Sequence, residues 1–176
     1  MNALKLIKKA ASWLSKITGA LSFLGYILII LLTVTDVVLR KLANKPVTGA
    51  YELTQYLLLV AVFASFAYCQ MLRGHIQVTM ILQILPKRVV FILYTLTGLL
   101  TTGTMVFVGY AASQQAIYAM SKGYVSDVLK FPTYPFIWIE CICMMIFALT
   151  CLVDVFYSVA AIFNKDLQDE LMKEWN

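Results

Sequence analysis

The sequence predicts an all-α membrane protein with four transmembrane helices, an N-terminal amphipathic helix on the membrane surface, and both termini in the cytoplasm. The 176 residues are 61% hydrophobic and only 13% charged, whereas soluble domains are about half apolar and about a quarter charged. The charged residues also cluster, which leaves four long apolar runs between them. Such runs suit lipid, because a helix satisfies its backbone hydrogen bonds internally.

The first element, residues 1–16, carries apolar and basic side chains on opposite helical faces. Leu4, Ile7, Ala11 and Leu14 recur at helical spacing, and four lysines lie on the other side. We expect this helix to lie among the headgroups, with its lysines beside anionic lipid. A signal peptide is the competing interpretation, but the apolar run that follows is longer than a typical signal-peptide core and lacks an Ala-x-Ala-like cleavage site.

The four apolar runs are each long enough to cross a bilayer core of about 30 Å, which takes about 20 helical residues. The predicted spans, within a membrane domain at 17–163, are residues 17–40, 51–73, 88–120 and 132–163. The third and fourth exceed the length required, so they are expected to tilt or to project beyond the lipid. Residues 164–176 are predicted to form a cytoplasmic tail.

Basic residues determine the predicted orientation. With the N-terminus inside, nine Lys and Arg residues fall on the inner side and five on the outer side. Cytoplasmic segments of membrane proteins carry the excess of basic residues, so both termini are predicted to be cytoplasmic. Arg40 and Lys41, which directly follow the first span on the outer side, count against this orientation.

Ionisable residues near the spans are the candidates for contacts, because a charge in lipid is unfavourable unless it is partnered. Asp36 and Arg40 lie one turn apart and predict a local ion pair, or a contact with a partner subunit. Glu52 opens the second helix, where an acid complements the helix N-terminus; the alternative is a polar contact with a neighbouring helix. Gln55 follows one turn later.

Two acids lie in the fourth span. Glu140 is the best candidate for a buried acid, and we interpret it as a polar anchor between helices. A carboxylate that carries protons or cations is the alternative. Asp154 lies near the inner end and is expected to be solvated. The single histidine, His75, lacks Cys or carboxylate companions and makes a poor metal site, so a headgroup or loop contact is expected.

Cysteines and small residues in the spans predict packing rather than chemistry. The four cysteines are expected to be buried, unpaired small hydrophobes: Cys69, Cys141, Cys143 and Cys151. Small residues let helices approach closely in lipid. The predicted packing positions are Ala61, Ala64, Ser65 and Ala67 in the second helix and Gly98, Thr102, Gly103, Gly109 and Ser113 in the third.

The sequence contains no P-loop, dinucleotide motif, zinc-protease motif or nucleophile–base set. We therefore predict no catalytic, cofactor-binding or metal-binding residue and no enzyme activity. The net charge of +5 comes from residues that flank the spans, so nucleic acid is not an expected partner, whereas membrane lipids are. No span is broken at its centre by Gly and Pro, as the substrate sites of secondary carriers often are, so this chain is not expected to hold a substrate alone.

Several segments, in this order and at this spacing, resemble the small membrane subunit of tripartite ATP-independent periplasmic (TRAP) transporters. They are Asp36-Val-Val-Leu-Arg40, Gly49-Ala-Tyr-Glu-Leu53, Arg73-Gly-His-Ile-Gln-Val78, Leu85-Pro-Lys-Arg88 and Phe131-Pro132. The chain departs from the family at Gln77 and Thr79, where Arg and Asp are common. Roles that the family gives to charges at those two positions therefore do not carry over to this chain.

The resemblance implies a multi-pass protein of the bacterial inner membrane with two partners. One is a large multi-helix subunit that holds the substrate and sodium sites, and the other is a periplasmic solute-binding protein. The expected solute is a small organic anion, a carboxylate or a sulfonate, and the small subunit is expected to enlarge the static scaffold and help to receive the binding protein. The candidate interface residues are Asp36, Arg40, Glu52, Gln55, Arg73, Trp138 and Glu140.

Three other functions fit parts of the sequence. A stand-alone four-helix proton-coupled exporter would use Glu140, although such exporters are shorter and usually place the key acid in the first helix. A membrane thiol oxidoreductase would use the cysteines, although these lie within spans rather than in periplasmic pairs. A non-transport assembly factor is the third. For the TRAP subunit, replacing Arg40 and Glu52 with alanine is expected to reduce uptake without changing substrate preference.

Overall fold

The computed structural model describes residues 2–72, 85–164 and 168. The main elements are four helices: α1 (Asn2–Leu42), α2 (Ala50–Met71), α3 (Lys87–Lys122) and α4 (Tyr134–Phe163). Each contains a stretch that is long and apolar enough to cross a membrane. No strand occurs among the described residues, so the prediction of an all-α protein with four candidate spans is confirmed.

Helix α1 passes through residue 16 without interruption, so the predicted surface segment and the first span form one helix of 41 residues. At 1.5 Å per residue, this helix is about 60 Å long, about twice the thickness of a bilayer core. No glycine or proline occurs between residues 2 and 18 to break it. The surface position of residues 1–16 and the cytoplasmic termini stay predictions. Arg73, His75 and most of the tail lie outside the described residues.

The four helices form an open array rather than a closed bundle. Helix α2 packs between α1 and α4, α1 also reaches α4, and α3 makes extensive contacts with α4 alone. Neighbouring contacts show that α1 and α2 run antiparallel, as do α3 and α4, whereas α2 and α4 run in the same direction. We call the end that carries the α1–α2 and α3–α4 connections the outer end, following the predicted orientation.

Small residues on α2 allow α1 to approach closely. Ala61, Ala64 and Ala67 are completely inaccessible. The Ser22 hydroxyl of α1 donates a hydrogen bond to the Ala61 carbonyl oxygen at 2.7 Å, whereas Ala67 packs against Phe147 and Cys151 of α4. A Cβ on Gly25 would lie 3.0 Å from the Ala61 Cβ. The small-residue face predicted for the second helix is therefore a packing face inside this chain.

Helices α3 and α4 meet through glycines and cysteines. Gly98 faces Val155, and the Cys141 thiol donates to the Gly109 carbonyl oxygen at 3.3 Å. Cys141, Cys143 and Cys151 are buried and none of the four cysteines forms a disulfide, as the sequence predicted, whereas Cys69 is only half-buried. Thr102, also a predicted packing position, is buried and donates its hydroxyl to the Gly98 carbonyl oxygen within the helix, which satisfies that hydroxyl without a partner helix.

Aromatic and polar contacts join α2 to α4. Tyr56 stacks on Phe136 with ring centroids 4.5 Å apart. Towards the inner end, the Gln70 amide donates to the Asp154 carboxylate at 2.8 Å, and Asp154 is half-buried. Asp154 is therefore only partly exposed, and the expectation of a solvated side chain did not include its hydrogen bond with Gln70. The parallel packing of α2 on α4 brings Gln70 opposite it, which no local sequence pattern indicates.

Two glycines of α3 give a matched test of this packing. A Cβ on Gly98 would lie 2.6 Å from the Val155 Cγ2, whereas nothing lies within 4 Å of a Cβ on Gly103. Gly98→Ala is therefore expected to destabilise the chain by about 1–3 kcal/mol, because the β-branched Val155 has little freedom to move. Gly103→Ala is expected to leave stability unchanged or to raise it slightly. Thermal unfolding of the two variants in detergent checks this, and equal melting temperatures would contradict the close α3–α4 contact.

Candidate interface at the outer end

The α1–α2 connection is tied back to α1 by one carboxylate. Asp36 accepts a hydrogen bond from the Arg40 guanidinium on Oδ2 at 2.7 Å and one from the Val47 backbone N–H on Oδ1 at 2.8 Å. The predicted Asp36–Arg40 ion pair is therefore confirmed, and Asp36 also fixes the loop. The Arg40 side chain stays 64% exposed, against 13% for Asp36. The pair thus presents a positioned guanidinium to the surroundings.

The α3–α4 connection, residues 123–133, folds as a compact hairpin-like loop. The Ser126 N–H donates to the Phe131 carbonyl oxygen at 2.8 Å, and the Phe131 N–H donates to the Ser126 hydroxyl at 3.2 Å. Left-handed conformations at Gly123 and Lys130 turn the chain at the two sides of the loop. A hydrogen bond with Tyr118 raises the pKa of the Tyr124 phenol above its ordinary value. These contacts give the loop tip, residues 127–130, a fixed shape.

Glu52 fastens this loop tip to the start of α2. Its carboxylate accepts the Val128 N–H on Oε1 at 2.8 Å and the Leu129 N–H on Oε2 at 3.0 Å. Glu52 as a whole is 9% exposed. Glu52 opens α2 as predicted, and the alternative contact with a neighbouring helix is not the one observed: the carboxylate accepts hydrogen bonds from two loop amides far along the chain. Hydrogen bonds to a charged acceptor are shorter and stronger than neutral ones, so this contact joins the two outer connections.

Gly49 makes the approach of the two connections possible. It adopts a left-handed conformation with φ 76° immediately before α2, which a glycine adopts without the steric penalty of a Cβ. A Cβ at this position would lie between 2.4 and 2.8 Å from three side-chain carbons of Leu129. The glycine therefore both turns the chain into α2 and leaves room for the loop tip.

Between α1, the start of α2 and the loop tip lies an open cleft with a volume of about 560 Å³. Four of the predicted interface residues line it, namely Asp36, Arg40, Glu52 and Gln55. The cleft also includes Asp127 of the loop tip, which was not among the predicted interface residues. The sequence feature that could have identified Asp127 is its charge in the short connection before the fourth span. The mixture of acidic, basic and amide groups suits recognition of a polar protein surface.

The other predicted interface residues that the structure describes do not line the cleft. Trp138 is 37% exposed on α4, Arg73 lies outside the described residues, and Glu140 is half-buried on α4. No hydrogen bond or ion pair joins Glu140 to any part of the chain that the structure describes, so the interpretation of Glu140 as a polar anchor between this chain's own helices is not supported there. Within the same residues, no group of three His, Cys, Asp or Glu side chains is arranged to hold a metal ion.

Comparison with known proteins gives one family. The family profile described as "Tripartite ATP-independent periplasmic transporters, DctQ component" matches residues 29–161. The matched region is about three quarters of the chain and contains both outer connections, the cleft, and all of α2 and α3. No curated protein and no solved structure gives a significant match.

Proposed function

This chain belongs to the DctQ component family of the tripartite ATP-independent periplasmic transporters, and from that premise we propose that it is the static scaffold subunit of a secondary-active importer of a small organic anion, a carboxylate or a sulfonate. The family consists of transporter components rather than enzymes. It implies two partners, a large multi-helix membrane subunit and a periplasmic solute-binding protein. In this proposal the complex lies in the bacterial inner membrane, and the large subunit holds the solute and the coupling sodium ions.

The open helix array is the observation that best supports a scaffold role. Because α3 packs extensively on α4 alone, the array leaves broad apolar faces along helices that run unbroken across the candidate spans. Apolar area alone gives little association in lipid, where shape and polar contacts decide packing. Rigid continuous helices with close internal contacts suit a subunit that braces a moving partner and does not itself bind solute.

The outer end supports a second part of the proposal, that this subunit helps to receive the solute-binding protein. The cleft presents the exposed guanidinium of Arg40, and both connections that surround it are fixed by hydrogen bonds. A preformed polar surface loses less conformational entropy on binding than a mobile one. Charged groups at such a surface chiefly set the association rate and its salt dependence.

The test is affinity purification of the tagged chain from its native membrane in mild detergent, with mass spectrometry of the recovered proteins. We expect a large polytopic protein at a fixed ratio to the tagged chain. Recovery of the tagged chain alone, as a monomer or homodimer, would contradict the subunit role. Reconstitution of the chain by itself into vesicles would then test the stand-alone proton-coupled exporter that uses Glu140.

A further inference from the structure

Glu140 lies on the face of α4 that packs against other helices. One turn before it, Phe136 stacks on Tyr56 of α2, and one turn after it, Met144 is 1% exposed. The exposed stripe of α4 lies on a different side of the helix, and it includes Trp138, Ile142, Met145, Leu149 and Phe156. An acid on the packing side of a membrane helix does not face the bulk lipid.

The position of Glu140 is defined by contacts on both sides. Phe136 contacts α2, and the adjacent Cys141 donates its thiol to the Gly109 carbonyl oxygen of α3. Helices α2 and α3 themselves make no extensive contact. Both helices pack on α4, at different positions around it, so the space between them is a groove with α4 at its floor. Glu140 lies on that floor and is only half-buried.

Glu140 differs from the other acids in the described spans. Asp36 accepts hydrogen bonds from Arg40 and Val47, Glu52 from two loop amides, and Asp154 from Gln70. The Glu140 carboxylate has no such bond with the residues that the structure describes. A carboxylate within a membrane span is unfavourable unless it meets a cation, water or a hydrogen-bond donor.

The outer end of α4 is not directly open to this carboxylate on the side that faces α2. Glu140 is six residues after the first residue of α4, Tyr134, which is about 9 Å along the helix axis. The stacked Tyr56 and Phe136 rings stand between it and the outer end on the side that faces α2. A positive group that approaches Glu140 from between α2 and α3 does not have to pass between these two rings.

We propose that the groove between α2 and α3 receives a helix of the large partner subunit, and that Glu140 forms an ion pair there with a Lys or Arg side chain of that helix. The inference rests on the proposed function, because it takes the large subunit as the occupant. Charge complementarity selects the partner group, since a carboxylate in lipid is stabilised most by a cation in direct contact. This ion pair would fix the position of the large subunit's helix along α4.

The test uses the complete complex, purified through a tag on the large subunit, with Glu140→Gln and Glu140→Lys in this chain. The first substitution keeps the shape and removes the charge, and the second reverses the charge. We expect Glu140→Lys to lower recovery of this chain by about tenfold or more and Glu140→Gln to lower it less. Asp154→Asn is the matched control, because its hydrogen-bond partner Gln70 is within the chain, so recovery should change little.

The outcomes separate this inference from the proposed function. If the unchanged chain is not recovered with a large subunit, the proposed function itself fails. If it is recovered, and both Glu140 variants are recovered equally well, the ion pair is overturned. A photo-crosslinker at position 140 provides a readout that does not depend on stability. Crosslinks to the large subunit support the proposal, whereas crosslinks to lipid alone overturn it and assign the carboxylate to a headgroup or to a protonated state in lipid.

Discussion

Glu52→Ala is expected to release the tip of the α3–α4 loop and to lower the melting temperature of the chain by several degrees. The substitution removes the acceptor of the Val128 and Leu129 amides and leaves two part-buried donors without a partner in the chain, which is the costly part of losing a hydrogen bond. Hydrogen exchange measures the effect directly, since those two amides should lose protection while amides within α4 keep theirs.

Two variants make this result specific. Glu52→Gln keeps one carbonyl oxygen but replaces the other with a donor, so it should restore protection at one amide only. Gln55→Ala removes an exposed side chain of the same cleft. In this variant the Val128 and Leu129 amides should keep the hydrogen-exchange protection that they have in the unchanged chain. Unchanged protection in Glu52→Ala would mean that the loop is held by other contacts, and the assigned role of Glu52 would be wrong.

The same contact changes how a double substitution of Arg40 and Glu52 must be interpreted. The Arg40 guanidinium is exposed beside the cleft, whereas Glu52 holds a loop in place, so the double variant combines a lost surface charge with a displaced loop. Arg40→Ala alone is therefore the better test of docking. It should reduce uptake, weaken the salt dependence of that uptake and leave the melting temperature nearly unchanged.

Gly49→Ala is expected to have the larger effect on folding. An alanine at φ 76° adopts the left-handed conformation at a cost of about 1–2 kcal/mol. Its Cβ would also overlap three side-chain carbons of Leu129, and overpacking of this kind typically adds about 1–3 kcal/mol. We expect a lower melting temperature and a displaced loop tip, measured by thermal unfolding and by hydrogen exchange at Val128 and Leu129.

Gly123 provides the matched control for that prediction. It also has a positive φ, 65°, but nothing lies within 4 Å of the Cβ that an alanine would introduce. Gly123→Ala should therefore show the conformational penalty without the overlap, and the difference between the two variants should measure the overlap. Leu129→Ala in the Gly49→Ala background should recover part of that difference. No recovery would show that Leu129 is not the obstructing group.

Local sequence patterns were sufficient for the helices and for short-range contacts. Long apolar runs separated by Pro and Gly predicted the four candidate spans, because the length and polarity of a span are set by the bilayer and by backbone hydrogen bonding. Asp36 and Arg40 are one turn apart, so their ion pair follows from helical geometry. Small residues at helical spacing identified the positions of α2 that pack on neighbouring helices, Ala61 on α1 and Ala67 on α4. The sequence segments also carried the family resemblance that the profile match over residues 29–161 confirmed.

The tertiary structure decided everything that depends on which helices are neighbours. Glu52 and Leu129 are 77 positions apart, and Gln70 and Asp154 are 84 positions apart, so no local periodicity relates them. The order of helices in the array brought each pair together, and it left the Glu140 carboxylate on the floor of a groove without a hydrogen bond or ion pair to the described residues. In lipid the apolar surface of one helix resembles that of another, so close packing and a few polar contacts determine which helices pack together. Which helices are neighbours therefore depends on how their surfaces fit in three dimensions and not on the residue pattern along any one helix.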